Sequence, residues 1–322
     1  MPTAAPPATP VADTSAGAVR KRRTRASTGV RGYGRATPYL FLAPYLLLFL
    51  LFVIGPAIFG FWMSLHDWDF QLPGKPFVGL QNYKDLFDPL SATAEPFWHG
   101  MRATGIFTLA SVPFLVGLPL GLAVLLNRHF PGRTFFRAVY FAPFVLGVAV
   151  VGLMFRYILD TSFGILNAFL GVFGIGEIGW TTDQPWAWIA LVGVTVWWTA
   201  GFNSIIYLAG LQDIPAEQYE AAELDGANKW QQFRNVTLPG LRPVSVFIVT
   251  ITLLASANMF GQSTLITQGG PGDETRTALM VMLDTGFSQF RMGQATAMSY
   301  LLALCLAVVS IIAFLLLRER KA

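Results

Sequence analysis

The chain has 322 residues, of which 54% are apolar and only 12% charged, where an average soluble protein is about 25% charged. With a mean hydropathy of +0.53, this excludes a large soluble core and points to an all-α, polytopic membrane protein. The net charge of +4 then reads as basic residues gathered in cytoplasmic loops, not as a nucleic-acid surface, and a single cysteine, Cys305, excludes an internal disulfide.

Residues 1–36 stand apart. Ala, Pro and Thr dominate MPTAAPPATPVADTSAGAV, and Lys21, Arg22, Arg23, Arg25, Arg31 and Arg35 follow. No small-residue cleavage site follows the first apolar run, so it is not a secretory signal. The expectation is a disordered basic cytoplasmic tail ahead of a membrane domain over 37–322.

A membrane helix needs about 20 predominantly apolar residues. Six stretches qualify: about Tyr39–Leu65, Thr104–Leu126, Phe135–Leu159, Trp186–Leu211, Val244–Thr267 and Gly293–Leu317. Pro44, Pro56, Pro113, Pro119 and Pro143 lie in the first three. Kinks are expected there, because neighbouring helices can resatisfy the freed carbonyls. With the N-terminus inside, 16 of the 22 basic residues fall on the cytoplasmic side and 11 of the 18 acids outside. The predicted topology is therefore six spans, N-in and C-in. Outside, 160–185 (SFGILNAFLGVFGIG and a turn to Trp180) reads as a short interfacial or re-entrant helix, and 268–292 opens on a Gly/Pro turn.

Several chemistries lack their residues. There is no Gly-x-x-x-x-Gly-Lys-Ser/Thr loop for nucleotide phosphates and no Gly-x-Ser-x-Gly elbow. His66, His99 and His129 are scattered, giving no metal-ligand spacing. No catalytic or metal residue is assigned. Charged side chains, which a coupling-ion relay needs within its spans, are, apart from Arg137 at its inner end, confined to the outer end of the third (Arg156, Asp160).

The most polar run between spans is Asp213–Pro243, placed in the cytoplasm by the charge count. Asp213 is expected to cap a helix with Pro215 in its early turn. Glu217 and Glu220 suit the helix dipole, and Gly226 suits the left-handed position after the last turn. Asn228 with Gln231 has capping-box spacing, and Trp230, Phe233 and Val236 form one apolar stripe. From these residues alone the loop is either an amphipathic connector on the bilayer or a docking surface.

Glu220-Ala221-Ala222, three residues, Gly226, nine residues, Val236, one residue, Leu238-Pro239 resembles the EAA loop of ATP-binding-cassette importer permeases, with Val236 where the pattern has Ile. FVGLQNYKDLF, FRAVYFAPFV, QGGPGDETRT and GQATAMSYLL are similar to the carbohydrate-uptake branch. The resemblance covers most of residues 38–318 and implies the type I importer permease fold. It also implies a sugar permease subunit of the bacterial cytoplasmic membrane, paired with a second permease, a cytoplasmic ATPase dimer that binds MgATP, and an extracytoplasmic solute-binding protein. This chain itself would be no enzyme and would carry no cofactor. Glu220, Ala221, Ala222, Asp225, Gly226, Leu238 and Pro239 would couple to the ATPase.

The same resemblance places sugar contacts on the helices before and after the loop, at Trp198, Thr199 and Phe202, then Thr252, Ala255, Ser256 and Met259. Ser256 and Met259 replace two amides of the maltose-type pattern, and Asn203 and Asn258 are neighbours able to supply amides. Aromatic faces, hydroxyls and amides suit a sugar cavity, yet Ser, Thr and Asn also serve helix packing. Two rivals to the importer reading are an ion-coupled secondary sugar carrier and a non-transporting membrane scaffold.

Overall fold

The computed structural model describes residues 37–317. The expected basic tail over 1–36 and the terminal Arg318, Arg320 and Lys321 lie outside them. The chain divides into two compact units, one ending at Gly55 and one starting at Pro56. In the first, α1 (Thr37–Phe49) carries Pro44 and leads into a π-helical turn at Leu50–Ile54.

α2 (Gly55–Ser64) starts at the boundary residue, and the second unit goes on through α3 (Gln81–Asp85) and α4 (Ala94–Asn127). α4 runs without a break through Pro113 and Pro119, with Glu95 in its first turn complementing the dipole. α5 (Arg133–Val145) and α6 (Val148–Ile158) form the third apolar stretch, bent by 95°. The bend follows Pro143: Leu146 and Gly147 are extended, and the indole N–H of Trp198 donates to the freed Leu146 carbonyl at 3.0 Å. α7 (Ile165–Gly171) is the short helix expected within 160–185, pinned by Asn167, whose amide reaches Thr161 O, Ile178 O and the Trp180 indole.

α8 (Trp186–Gln212) precedes the polar loop, which holds α9 (Ala216–Leu224), α10 (Lys229–Gln232), a π-helical turn at Phe233–Thr237 and α11 (Leu238–Gly240). α12 (Arg242–Ala257) stops short of the predicted Thr267, because Asn258 turns out of the helix and its side-chain amide donates back to Leu254 O at 2.8 Å. A separate π-helical turn covers Ser263–Thr267. α13 (Ala278–Leu283) runs into another at Asp284–Ser288, and α14 (Met292–Leu317) closes the described chain.

Among the described residues four helices are long and apolar enough to cross a membrane, and up to six if each bent pair is one span. Among the described residues there are no strands, only two isolated bridges. The apolar core forms three layers strung along α4. Phe97 packs with Ala278, Met282 and Met298; Phe107 with Val151, Leu191 and Met259; Ala123 with Tyr207, Leu241 and Ile248. α8 is the most enclosed long helix, with 44% of its apolar window buried against 6% for α14, so it bears the internal surfaces. Gly201 lets α5 approach it: a Cβ there would lie 1.9 Å from Tyr140 O.

Candidate functional site

α8 and α12 pack against α4, and their polar residues share one face. A cavity of about 490 Å3 opens there. Its wall includes all eight residues singled out in the sequence, Trp198, Thr199, Phe202, Asn203, Thr252, Ser256, Asn258 and Met259, together with Ala255.

These side chains are held in different ways. Asn203 is buried, its amide donating to Leu115 O at 2.9 Å and Thr252 Oγ1 at 3.3 Å. The Ser111 hydroxyl donates to Ser256 Oγ at 3.2 Å. Thr199 donates to Thr195 O. Thus Asn203, Thr252 and Ser256 join helices and line the cavity at once; the two roles weighed in the sequence are not exclusive. Phe202 stacks on Phe144, ring centroids 4.5 Å apart and 15° from parallel. Asn258 is exposed at the α12 break, and Met259 is 2% exposed.

Sequence reasoning missed the other half of the wall. Phe107 and Leu115 come from α4, Phe144 and Val148 from the bend, and Phe260, Gly261 and Gln262 from the segment after α12. Ser111, which bonds the wall residue Ser256, was readable as a hydroxyl in an apolar run; the bend residues carried no such signal.

The cavity wall is tied to the Gly/Pro turn at 268–277. Thr277, fully buried, donates to Met259 O at 2.9 Å. Thr104 of α4 accepts from Ala278 N at 3.0 Å. Thr267 and Thr275 share a hydroxyl bond of 2.7 Å, and Thr275 caps Gly270 O. On the surface above, Glu274 pairs with Arg102 and lies 3.6 Å from His99. The Arg102 hydrogen bond outweighs desolvation and holds the Glu274 carboxyl below the ordinary carboxylate range.

At the opposite end of α8, the loop is folded as α9 followed by the continuous α10–α11 run. Asp213 does not cap α9. It ends α8, and Pro215 takes the N-cap position with no side-chain bond, its fixed φ of −59° starting the turn. α9 ends in a Schellman motif: Ala227 N donates to Ala222 O at 2.8 Å, Gly226 N to Glu223 O at 3.0 Å, and Gly226 has φ +79°. The Asn228–Gln231 capping box is complete. Tyr219 and Thr237 hydroxyls meet at 3.0 Å and fasten α9 to the following turn. Lys229 donates to Glu223, lowering its carboxyl pKa, with help from Gln232.

Glu220, Ala221, Asp225, Gly226, Leu238 and Pro239 are exposed, and Ala222 is half-buried. Leu224, not singled out in the sequence, is 90% exposed at the helix end. In the apolar stripe Trp230 is exposed and stacks on Phe233 at 5.6 Å, while Phe233 and Val236 are half-buried. Among the described residues no group of three His, Cys, Asp or Glu could hold a metal.

The profile of the family described as binding-protein-dependent transport system inner membrane component matches residues 114–318. A probable starch degradation products transport system permease protein of Thermoanaerobacterium thermosulfurigenes is 31% identical over 88% of this chain and 94% of its own. An arabinooligosaccharides transport system permease protein of Bacillus subtilis is 34% identical over 86% of this chain and 87% of its own. Among solved structures, a chain of a bacterial alginate ABC transporter in complex with an alginate pentasaccharide-bound periplasmic protein superposes with a TM-score of 0.73. It is 25% identical and covers 86% of this chain and 92% of that one.

Proposed function

Because the chain belongs to the family of binding-protein-dependent transport system inner membrane components, a multi-pass ABC permease family of type I fold, we propose that it is one permease subunit of an ATP-driven importer of di- or oligosaccharides. In this reading it sits in the bacterial cytoplasmic membrane, N-in and C-in, with the basic run before residue 37 in the cytoplasm. A second permease supplies the other half of the pathway. An extracytoplasmic solute-binding protein delivers sugar, and MgATP is bound and hydrolysed by a separate ATPase dimer.

The observation that carries the proposal is the cavity between α4, α8 and α12. Trp198 and Phe202 offer aromatic faces, and Asn203, Thr252, Ser256 and Asn258 offer amides and hydroxyls around about 490 Å3, which is the chemistry a sugar requires. The loop supplies the energetic link. Glu220, Ala221, Asp225 and Gly226 present a polar, small-residue surface to the cytoplasm, and the half-buried Ala222 and the Tyr219–Thr237 bond connect it to the body.

The test replaces Gly226. At φ +79° a β-branched residue is strained by roughly 1–2 kcal/mol, enough to reshape the turn without unfolding the spans. Gly226→Val should abolish ATP-dependent sugar uptake while the protein stays in the membrane at normal level. Uptake that persists in this variant, or that survives ATP depletion but collapses with a protonophore, rejects the reading.

A further inference from the structure

We propose that the cavity behind the cytoplasmic loop is a binding site for a phosphate-bearing anion. The cavity has a volume of about 580 Å3 and lies between the end of α4, the end of α8 and the loop. Asn127 and Arg128 enter from the α4 side, Tyr219 from α9, and Lys229, Gln232 and Thr237 from the segment after it. Val124, Leu211 and Phe233 supply an apolar floor.

Three observations assign it an anion. First, two cations from separate elements flank one space. Among the described residues Arg128 has no carboxylate within ion-pair distance and no side-chain hydrogen bond, and Asn127 likewise leaves its amide free. Second, the sequence around Arg128 carries no compensating acid: residues 96–159 contain neither Asp nor Glu, while Arg133 and Arg137 follow Arg128 within ten positions. The one acid at the rim is Glu223, which is already held by Lys229. Lys229 gives one N–H to Glu223 and another to Gln232, so its third remains available. Third, the neutral lining is preset. Gln232 is fixed by Glu223 and Ala227 O, and the Tyr219 and Thr237 hydroxyls bond each other while Thr237 donates on to Gln232 O at 3.5 Å. Arg128, the Asn127 amide and the third N–H of Lys229 thus flank one space whose lining holds no carboxylate.

A phosphodiester matches this set, because guanidinium and ammonium groups bind phosphate oxygens through charge-assisted bonds. The ligand is either the headgroup of an anionic phospholipid, with its glycerol end over Val124 and Leu211, or a soluble phosphate compound. Either would brace Tyr219 and Thr237, and with them the back of the loop. The site does not depend on what the subunit transports.

The full-length chain in detergent is mixed with phosphatidylglycerol or phosphatidylcholine vesicles, and retained lipid is counted by native mass spectrometry. In parallel, its melting temperature is read in sodium phosphate and in sodium chloride of equal ionic strength. Roughly tenfold preferential retention of phosphatidylglycerol is expected from two surface cations, falling to parity in R128Q/K229Q but not in R133Q. That result supports the site with lipid as its source. A phosphate-specific rise in melting temperature, lost in R128Q/K229Q without any lipid preference, supports the site with a soluble ligand. No preference and no shift in the unaltered chain overturns the proposal, as does a preference that R128Q/K229Q leaves intact. R128K/K229R, which keeps both charges, must retain binding; if the glutamine pair misfolds, R128Q alone carries the comparison and must lower retention.

Discussion

Asn203 shows how one side chain can serve two structural purposes. Its amide nitrogen bridges α4, at Leu115 O, and α12, at Thr252 Oγ1, while its flank forms part of the cavity wall. Removing the amide leaves a carbonyl and a hydroxyl to find new partners in an apolar setting. Interhelical bonds of this kind are worth about 0.6–2 kcal/mol. Asn203→Ala is therefore expected to lower thermal stability in detergent by that amount and to raise KM for sugar uptake. Asn258→Ala, at an exposed position, should change KM with little loss of stability; equal destabilisation by both would argue against the distinction. Gly201 is a purely steric case. With Tyr140 O 1.9 Å from the position of a Cβ, Gly201→Leu forces α5 off α8, and the protein should fail to accumulate in the membrane, as a western blot of membrane fractions would report.

At the scale of elements, legibility followed from how local each signal is. The capping box at Asn228, the left-handed Gly226 and the apolar runs were readable because a few neighbouring residues determine them. The cap assigned to Asp213 was not correct, since Pro215 itself occupies the N-cap and leaves Asp213 closing α8. Pro143 signalled a kink. The 95° bend depends as well on Trp198, 52 positions away, whose indole N–H donates to the Leu146 carbonyl. Likewise α12 ends at Ala257 because the Asn258 side chain folds back, and the wall continues through a turn fixed by Thr277. Half the cavity was hidden for this reason: it is made by α4 and by two breaks in helices, which apolar content alone does not mark.

The Gly/Pro turn gives a pH prediction at the same scale. Arg102 holds the Glu274 carboxyl below the ordinary carboxylate range. A depressed carboxylate stabilises the fold at pH values above its unfolded pKa and loses that contribution as pH falls through the folded one. The clasp should thus be unaffected between neutral pH and the ordinary carboxylate range, then loosen under stronger acid. Arg102→Gln should shift that loosening to higher pH, measured as proteolytic nicking of the 268–277 turn. A profile unchanged by the substitution would show that the ion pair contributes nothing.

For the whole molecule, the proposed orientation is testable by labelling. In a Cys305→Ala background, a cysteine at Glu220 should react with an impermeant maleimide only when the cytoplasmic side is open, and one at Asp273 should react from outside intact cells. Labelling on the same side at both positions would refute the odd number of crossings between them and the six-span topology with it.

The three apolar layers along α4 have an energetic consequence. Phe97, Phe107 and Ala123 are separated by ten and sixteen residues, about 15 and 24 Å of helix rise, and each layer recruits its own partners. Truncations in the outermost and innermost layers, Met298→Ala and Ile248→Ala, should therefore be additive in free energy to within about 0.5 kcal/mol. Each should couple measurably with a truncation at Leu191 only to the extent that α4 transmits strain between depths. The chain then behaves as three thermodynamic compartments sharing a single beam, and a double-mutant cycle across them measures how stiff that beam is.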